Sequence, residues 1–230
     1  MAKHLGKKYV KAHEALREKR VFSLQEGVAK VIEVAYARFD ESVDVNINLG
    51  IDPSKGDQVV RGSVLLPHGV GKKVRVIAFA KGDYALAAEK AGADEVGVED
   101  LLARIESGWM EFDYAVATPD LMGIVGRVAK ILGPRGLLPN KKNGTVTFEI
   151  AEAISELKRG RLFFKNDKNG IVHFCIGKVS QGAEKLSDNV RIFLRSLAAS
   201  KPATSKGQFM RRITISSTMG PGIKINAEEL

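Results

Sequence analysis

Hydrophobic and polar positions along the chain follow one grammar at both ends and another in the middle. Residues 8–20 favour helix by propensity. Ser23 is placed to cap a second helix from about residue 24 to 38, with Val28, Val31, Ile32 and Ala35 as its apolar stripe. Residues 43–49 then alternate strictly. Val43, Val45, Ile47 and Leu49 are predicted to face inward and Asp44, Asn46 and Asn48 outward, as in a half-buried antiparallel strand. A loop over 50–58 and a second strand over 59–66 follow.

After a break at Pro67-His68-Gly69-Val70-Gly71 the pattern changes. Residues 73–80 form a near-continuous apolar strand, followed by a helix (84–91), a short strand (95–98) and a helix (99–105). A strand (114–117), a helix (121–132) and a closing helix near 150–157 complete this stretch. Buried-type strands alternating with helices predict βαβ units on a parallel sheet, a three-layer Rossmann-like α/β arrangement. From Gly160 the first grammar returns. Strands over 161–165 and 171–176 flank 166–170 as a predicted hairpin, and 184–199 is an amphipathic helix with Leu186, Val190, Ile192, Phe193 and Leu197 as its core set. Pro202 stops it, and a final strand over 209–215 ends in Ser216-Ser217-Thr218-Met219-Gly220-Pro221-Gly222. By composition that ending is a rigid turn after the last strand or, with its hydroxyls, thioether and bare backbone, a preformed contact surface. The economical topology combines α+β and α/β classes. A discontinuous α+β domain is made of residues 1–67 and 159–230, and an α/β domain, 68–158, is inserted into it.

Charge sharpens this division. The 230 residues carry a net charge of +9, with a pI near 9.6. Residues 159–230 hold 13 Lys+Arg against 5 Asp+Glu, whereas 68–158 hold 12 against 13. A basic excess concentrated in one region points to a polyanion, because clustered cations release the counterions of phosphates. No apolar stretch approaches the roughly 18 residues of a membrane span, and the basic start has no signal-peptide segment behind it. The single cysteine, Cys175, fits a reducing, cytoplasmic setting.

Catalytic chemistry is not indicated. Gly69-Val70-Gly71-Lys72 lacks phosphate-loop spacing and precedes a strand, where a phosphate loop follows one. His4, His13, His68 and His173 are scattered, so no metal-ligand spacing exists. Asp40 and Glu41 are adjacent and would face opposite sides of a strand. Cys175, in mid-strand, reads as a core residue, and Trp109 and Met110 as packing residues. No enzyme, cofactor, metal or small-molecule substrate is expected. The competing readings are a nucleotide-binding enzyme in the α/β domain and a sequence-independent RNA chaperone. The loop over 133–144 is rich in glycine, proline and cations. Arg135, Lys141 and Lys142 make it a candidate for a second, weaker nucleic-acid contact.

Several ordered stretches resemble the large-subunit ribosomal protein L-one family. They include Phe39-Asp40-Glu41-Ser42-Val43, Leu66-Pro67-His68-Gly69-Val70-Gly71-Lys72, Leu132-Gly133-Pro134-Arg135-Gly136-Leu137 and Ser217-Thr218-Met219-Gly220-Pro221. The chain departs from the family pattern at Lys141, where proline is common, and at Gln181, where an aromatic often follows the serine. The resemblance implies a two-domain protein of the mobile lateral stalk. Its implied partners are large-subunit ribosomal RNA, exit-site tRNA and a mimic site in its own messenger RNA, whose binding represses synthesis. It also implies an RNA surface of Phe39, Glu41, Ser42, Lys165, Lys168, His173, Ser217, Thr218, Met219 and Gly220. Such residue types suit structured RNA, in which 2′-hydroxyls, exposed bases and shape are read while lysines position phosphates.

Overall fold

The computed structural model describes residues 6–16 and 21–226. The chain divides into two compact units, residues 1–71 with 162–230, and residues 72–161. In chain order the first contains α1 (Lys7–Glu14), α2 (Leu24–Val34), β1 (Ser42–Leu49) and β2 (Arg61–Leu65). The second contains β3 (Val76–Phe79), α3 (Asp83–Lys90), β4 (Glu95–Gly97), α4 (Glu99–Glu106), β5 (Tyr114–Ala117), α5 (Met122–Val125), α6 (Ala129–Leu132) and α7 (Ile150–Arg159). The chain returns through β6 (Arg161–Lys165), β7 (Ile171–Lys178), α8 (Ala183–Ala199), β8 (Met210–Ser217) and β9 (Ile223–Ile225).

The alternating stretch becomes the central strand of an antiparallel sheet ordered β7-β1-β8-β9. Val43, Val45, Ile47 and Leu49 are buried as their alternation requires. They meet Val172, Phe174, Ile176, Ile213 and Ile215 in one core under α2 and α8. Phe174 stacks on Phe193 with ring centroids 4.0 Å apart, and Phe164 meets both edge-on. Asp44, Asn46, Asn48, His173, Thr214 and Ser216 are left on the opposite, polar face. Ser23 caps α2 as expected, and the structure adds Glu26, which completes a capping box.

In the other unit β4-β3-β5 is a parallel sheet. Every residue of β3 is buried. α3 and α7 pack on this sheet. Ile77 and Phe79 meet Leu101, Ile105, Val125 and Leu132 in a core formed with α4 and the segment 121–132. Gly160, at φ 109°, ends α7 in the left-handed conformation that glycine adopts without steric penalty.

Five expectations are corrected. The second helix ends at Val34, not near 38. Ala35 turns extended, and the next two amides, of Tyr36 and Ala37, are taken by the Glu41 carboxylate. The predicted helix over 121–132 is broken into α5, α6 and intervening tight turns, with Gly123 and Gly126 inside it and Leu121 and Val128 near φ −90°. The 3₁₀ turns keep Leu121, Val125, Val128 and Leu132 all facing the core. The predicted hairpin is not one. β6 pairs with β2 in a separate two-stranded sheet and meets β7 only at the Asn166–Val172 bridge. The buried Asn166 explains this, since its amide and side-chain oxygen both bond to Val60 and hold β6 on the β2 side. Cys175 lies outside the core, half-buried on the polar face opposite Asp44, because Phe174 and Ile176 take the inward positions. Finally, the Ser-Thr-Met-Gly-Pro-Gly segment does not follow the last strand but joins β8 to β9. Of the helix expected over 8–20, residues 17–20 lie outside the described residues, as does His4.

Candidate nucleic-acid interface

The loop after β8 is built around one buried carboxylate. Glu41 is only 2% exposed. Its Oε1 accepts the backbone N–H groups of Tyr36, at 3.0 Å, and Ala37, at 2.7 Å, while Oε2 accepts that of Met219 at 3.0 Å. The Tyr36 hydroxyl donates to the Met219 carbonyl at 2.7 Å. The backbone of Met219 is therefore gripped from both sides. Burial alone would raise the Glu41 pKa, but the N–H donors, first that of Met219, outweigh it and hold the carboxyl below its usual range. The Ser217 hydroxyl, buried beside this carboxylate, also helps to hold its pKa down.

Thr218 extends the β1–β8 ladder by one step beyond the Val43–Ser217 pair. Its hydroxyl accepts from the Ser42 N–H at 3.0 Å, and its own N–H donates to the Ser42 carbonyl at 3.0 Å. Gly220 passes so close to Ser217 that an added Cβ would lie 2.5 Å from Oγ. Here glycine is required for backbone approach, not for an unusual φ.

The segment 39–42 is pinned as firmly. Asp40 accepts from the amide and hydroxyl of Ser180, the hydroxyl being the main reason its pKa is lowered. Lys178 Nζ donates to Ser42 Oγ at 2.9 Å and to the Asp40 carbonyl at 3.2 Å. Gln181, one of the departures from the family pattern, accepts from the Lys178 amide and donates to the carbonyls of His68 and Gly69. With both backbones fixed, two large apolar side chains remain in solvent, Phe39 at 57% and Met219 at 49% exposure. They sit on the two segments that Glu41 ties together. A flat apolar partner such as a base or ribose suits this pair, with the hydroxyls and bare backbone of 217–220 alongside.

His173 stands on the same sheet's polar face, its Nδ1 2.6 Å from Asn46 Oδ1 and its Nε2 3.6 Å from Asp167 Oδ2, a pairing that becomes ionic when the ring is protonated. Lys165 and Lys168 are exposed at the end of β6 and in the loop that follows. The structure thus brings Phe39, Glu41, Ser42 and Ser217 to Gly220 into one cluster, with Glu41 and Ser217 buried beneath it. It leaves His173, Lys165 and Lys168 on the same unit. Arg135, Lys141 and Lys142 belong to the other unit, exposed on a loop that Asn140 and Thr145 brace through reciprocal hydrogen bonds. Tyr36 and Lys178 escape sequence reasoning. Their partners lie 183 and 136 positions away, and no local pattern marks either.

Among the described residues no group of three or more His, Cys, Asp or Glu could hold a metal ion, and no helix is long and apolar enough to cross a membrane. Residues 31–221 match the model of the ribosomal protein L1p/L10e family. Large ribosomal subunit protein uL1 of Maridesulfovibrio salexigens is 51% identical over 226 residues, covering 98% of this chain and 96% of the relative. The protein of the same name from Nitratidesulfovibrio vulgaris matches with the same identity and coverage.

Proposed function

The chain belongs to the ribosomal protein L1p/L10e family, and on that premise we propose that it binds structured large-subunit ribosomal RNA at the lateral stalk through the 217–220 loop and the 36–42 segment facing it. It is a cytoplasmic ribosomal protein and not an enzyme. The observation that carries the proposal is the Glu41 clamp. A buried carboxylate and the Tyr36 hydroxyl preorganise Met219 while its side chain and Phe39 stay in solvent. A surface rigid before its ligand arrives loses less entropy on binding. In this reading Ser42, Thr218 and Gly220 meet the RNA directly, Glu41 and Ser217 act from beneath, and Lys165, Lys168 and His173 attract and position phosphates.

Three finer elements belong to the same proposal. Residues 1–67 and 159–230 form the RNA-binding domain, with 68–158 inserted; the division of the chain near 71 and 161 supports this. The inserted domain assists release of deacylated tRNA from the exit site, with exposed Arg135, Lys141 and Lys142 as its contact. The RNA surface also binds a mimic in the protein's own messenger and so represses its synthesis.

The direct test is titration of a stalk ribosomal RNA fragment at constant salt, with an unrelated structured RNA as competitor. The wild type should bind the fragment selectively, and Thr218→Ala should weaken it by about 1–3 kcal/mol through the lost hydroxyl and the unpaired Ser42 amide. Equal competition by the unrelated RNA would instead favour the chaperone reading. Unchanged affinity in a folded Thr218→Ala protein would refute the assignment of the loop.

A further inference from the structure

Away from the 217–220 loop, the start of β8 carries a feature that neither the family signature nor the proposed surface includes. The β1–β8 register shifts between Asn48, opposite Arg212, and Leu49, opposite Met210. Arg211 is the extra residue of this bulge. In an unbroken strand Arg211 and Arg212 would point to opposite faces, one of them into the core. A bulge re-aims a side chain, and here both arginines are exposed.

They open onto a groove of about 340 Å³ shared with Gln208, Lys224 and Asn226. Val21, Ile213 and Ile225 form its remaining wall, and the Val21 side is fixed. The Phe22 N–H donates to the Lys224 carbonyl at 3.0 Å and the Asn226 N–H to the Phe22 carbonyl at 2.9 Å, which locks this segment beside β9. Lys224 lies opposite Thr214 on the polar sheet face, in the row that continues through Asn46 to His173. No carboxylate among the described residues pairs with Arg211, Arg212 or Lys224, although ion pairs are common elsewhere on this molecule. Three unpaired cations with two amide side chains in a walled groove match the needs of a phosphodiester, which accepts several hydrogen bonds and wants positive charge.

We propose that this groove is a second phosphate-binding site for the same RNA, held on the sheet about four to six residues, roughly 13–20 Å, from the recognition loop along β8. The proposal rests on the RNA-binding reading above. It assigns the groove to backbone attraction without sequence discrimination, leaving discrimination to the loop.

The test is the salt dependence of binding by the full chain to the stalk RNA fragment and to an unrelated structured RNA. Each phosphate contact contributes about 0.7–0.9 to the slope of log affinity against log salt. The combined variant Arg211→Gln, Arg212→Gln and Lys224→Gln should flatten the slope by about two units on both RNAs, a difference of roughly 15-fold over a fourfold change in salt. It should leave the preference between the two RNAs unchanged. The charge-keeping variant Arg211→Lys with Arg212→Lys should retain the wild-type slope, which a purely structural role for the arginines would not produce. A slope unaltered by neutralisation overturns the inference, as does a loss of preference without a change of slope. If the wild type shows no preference for the stalk fragment, the loop assignment fails, yet the slopes on either RNA still decide the groove. If the wild type binds neither RNA, both fall.

Discussion

Replacing Glu41 by Gln changes one oxygen into an amide nitrogen at nearly constant shape, so it isolates the clamp. The carboxylate receives three backbone N–H groups, at 3.0, 2.7 and 3.0 Å. A glutamine offers one oxygen. If that oxygen keeps Tyr36 and Ala37, its NH₂ faces the Met219 N–H, donor against donor. A buried donor left without an acceptor costs about 1–3 kcal/mol, and the two surviving bonds lose their charge assistance. The loop should therefore lose about 2–3 kcal/mol of preorganisation, which corresponds to roughly 30- to 150-fold in RNA affinity. Two measurements check this: amide hydrogen exchange at Met219 and titration of the stalk RNA fragment. Exchange at Met219 should accelerate while that of the β1 core amides holds. The pH dependence has a definite sign. The folded pKa of Glu41 is lowered, so its contribution is complete above the ordinary glutamate value and is lost as pH falls through the lowered value. Protection of the Met219 amide should fall in acid in the wild type and stay flat across that range in Glu41→Gln. If Met219 exchanges as slowly in the variant as in the wild type, the clamp does not hold the loop.

Three other outcomes are expected. Gly220→Ala sets a Cβ 2.5 Å from Ser217 Oγ, so the buried Ser217 side chain or the loop must shift; RNA affinity should fall at least tenfold while circular dichroism is unchanged. Phe193→Ala removes a fully buried ring stacked 4.0 Å from Phe174 and should lower unfolding free energy by about 3–5 kcal/mol in denaturant titration. Lys165→Gln combined with Lys168→Gln should flatten the salt slope by about one to two units, with competition by unrelated RNA no different from that seen with the wild type.

Much of this molecule is determined by periodicity that acts over a few residues. Alternation over 43–49 placed those β1 side chains on their correct faces, the Ser23 cap placed the start of α2, and apolar runs placed β3 and β5. These features follow from backbone geometry and local burial, which a sequence carries directly. The signature at 217–220 likewise marked where the exposed loop would be.

What tertiary structure decided is which groups those elements meet. In sequence Glu41 stands among the residues that the family resemblance assigns to the RNA surface. Folding buries it and adds the Met219 amide to its local partners at 36 and 37, because β1 and β8 pair and bring positions 178 residues apart to 3.0 Å. The same long-range pairing gave the Tyr36 hydroxyl its partner. The bulge that turns Arg211 outward exists only in the register between β1 and β8, and Asn166 separates β6 from β7 by bonding to Val60, 106 residues away. Local pattern sets which way a side chain points within its element. Pairing between distant strands sets what it touches, and in this protein the contacts that join the 217–220 loop to the 36–42 segment are of the second kind.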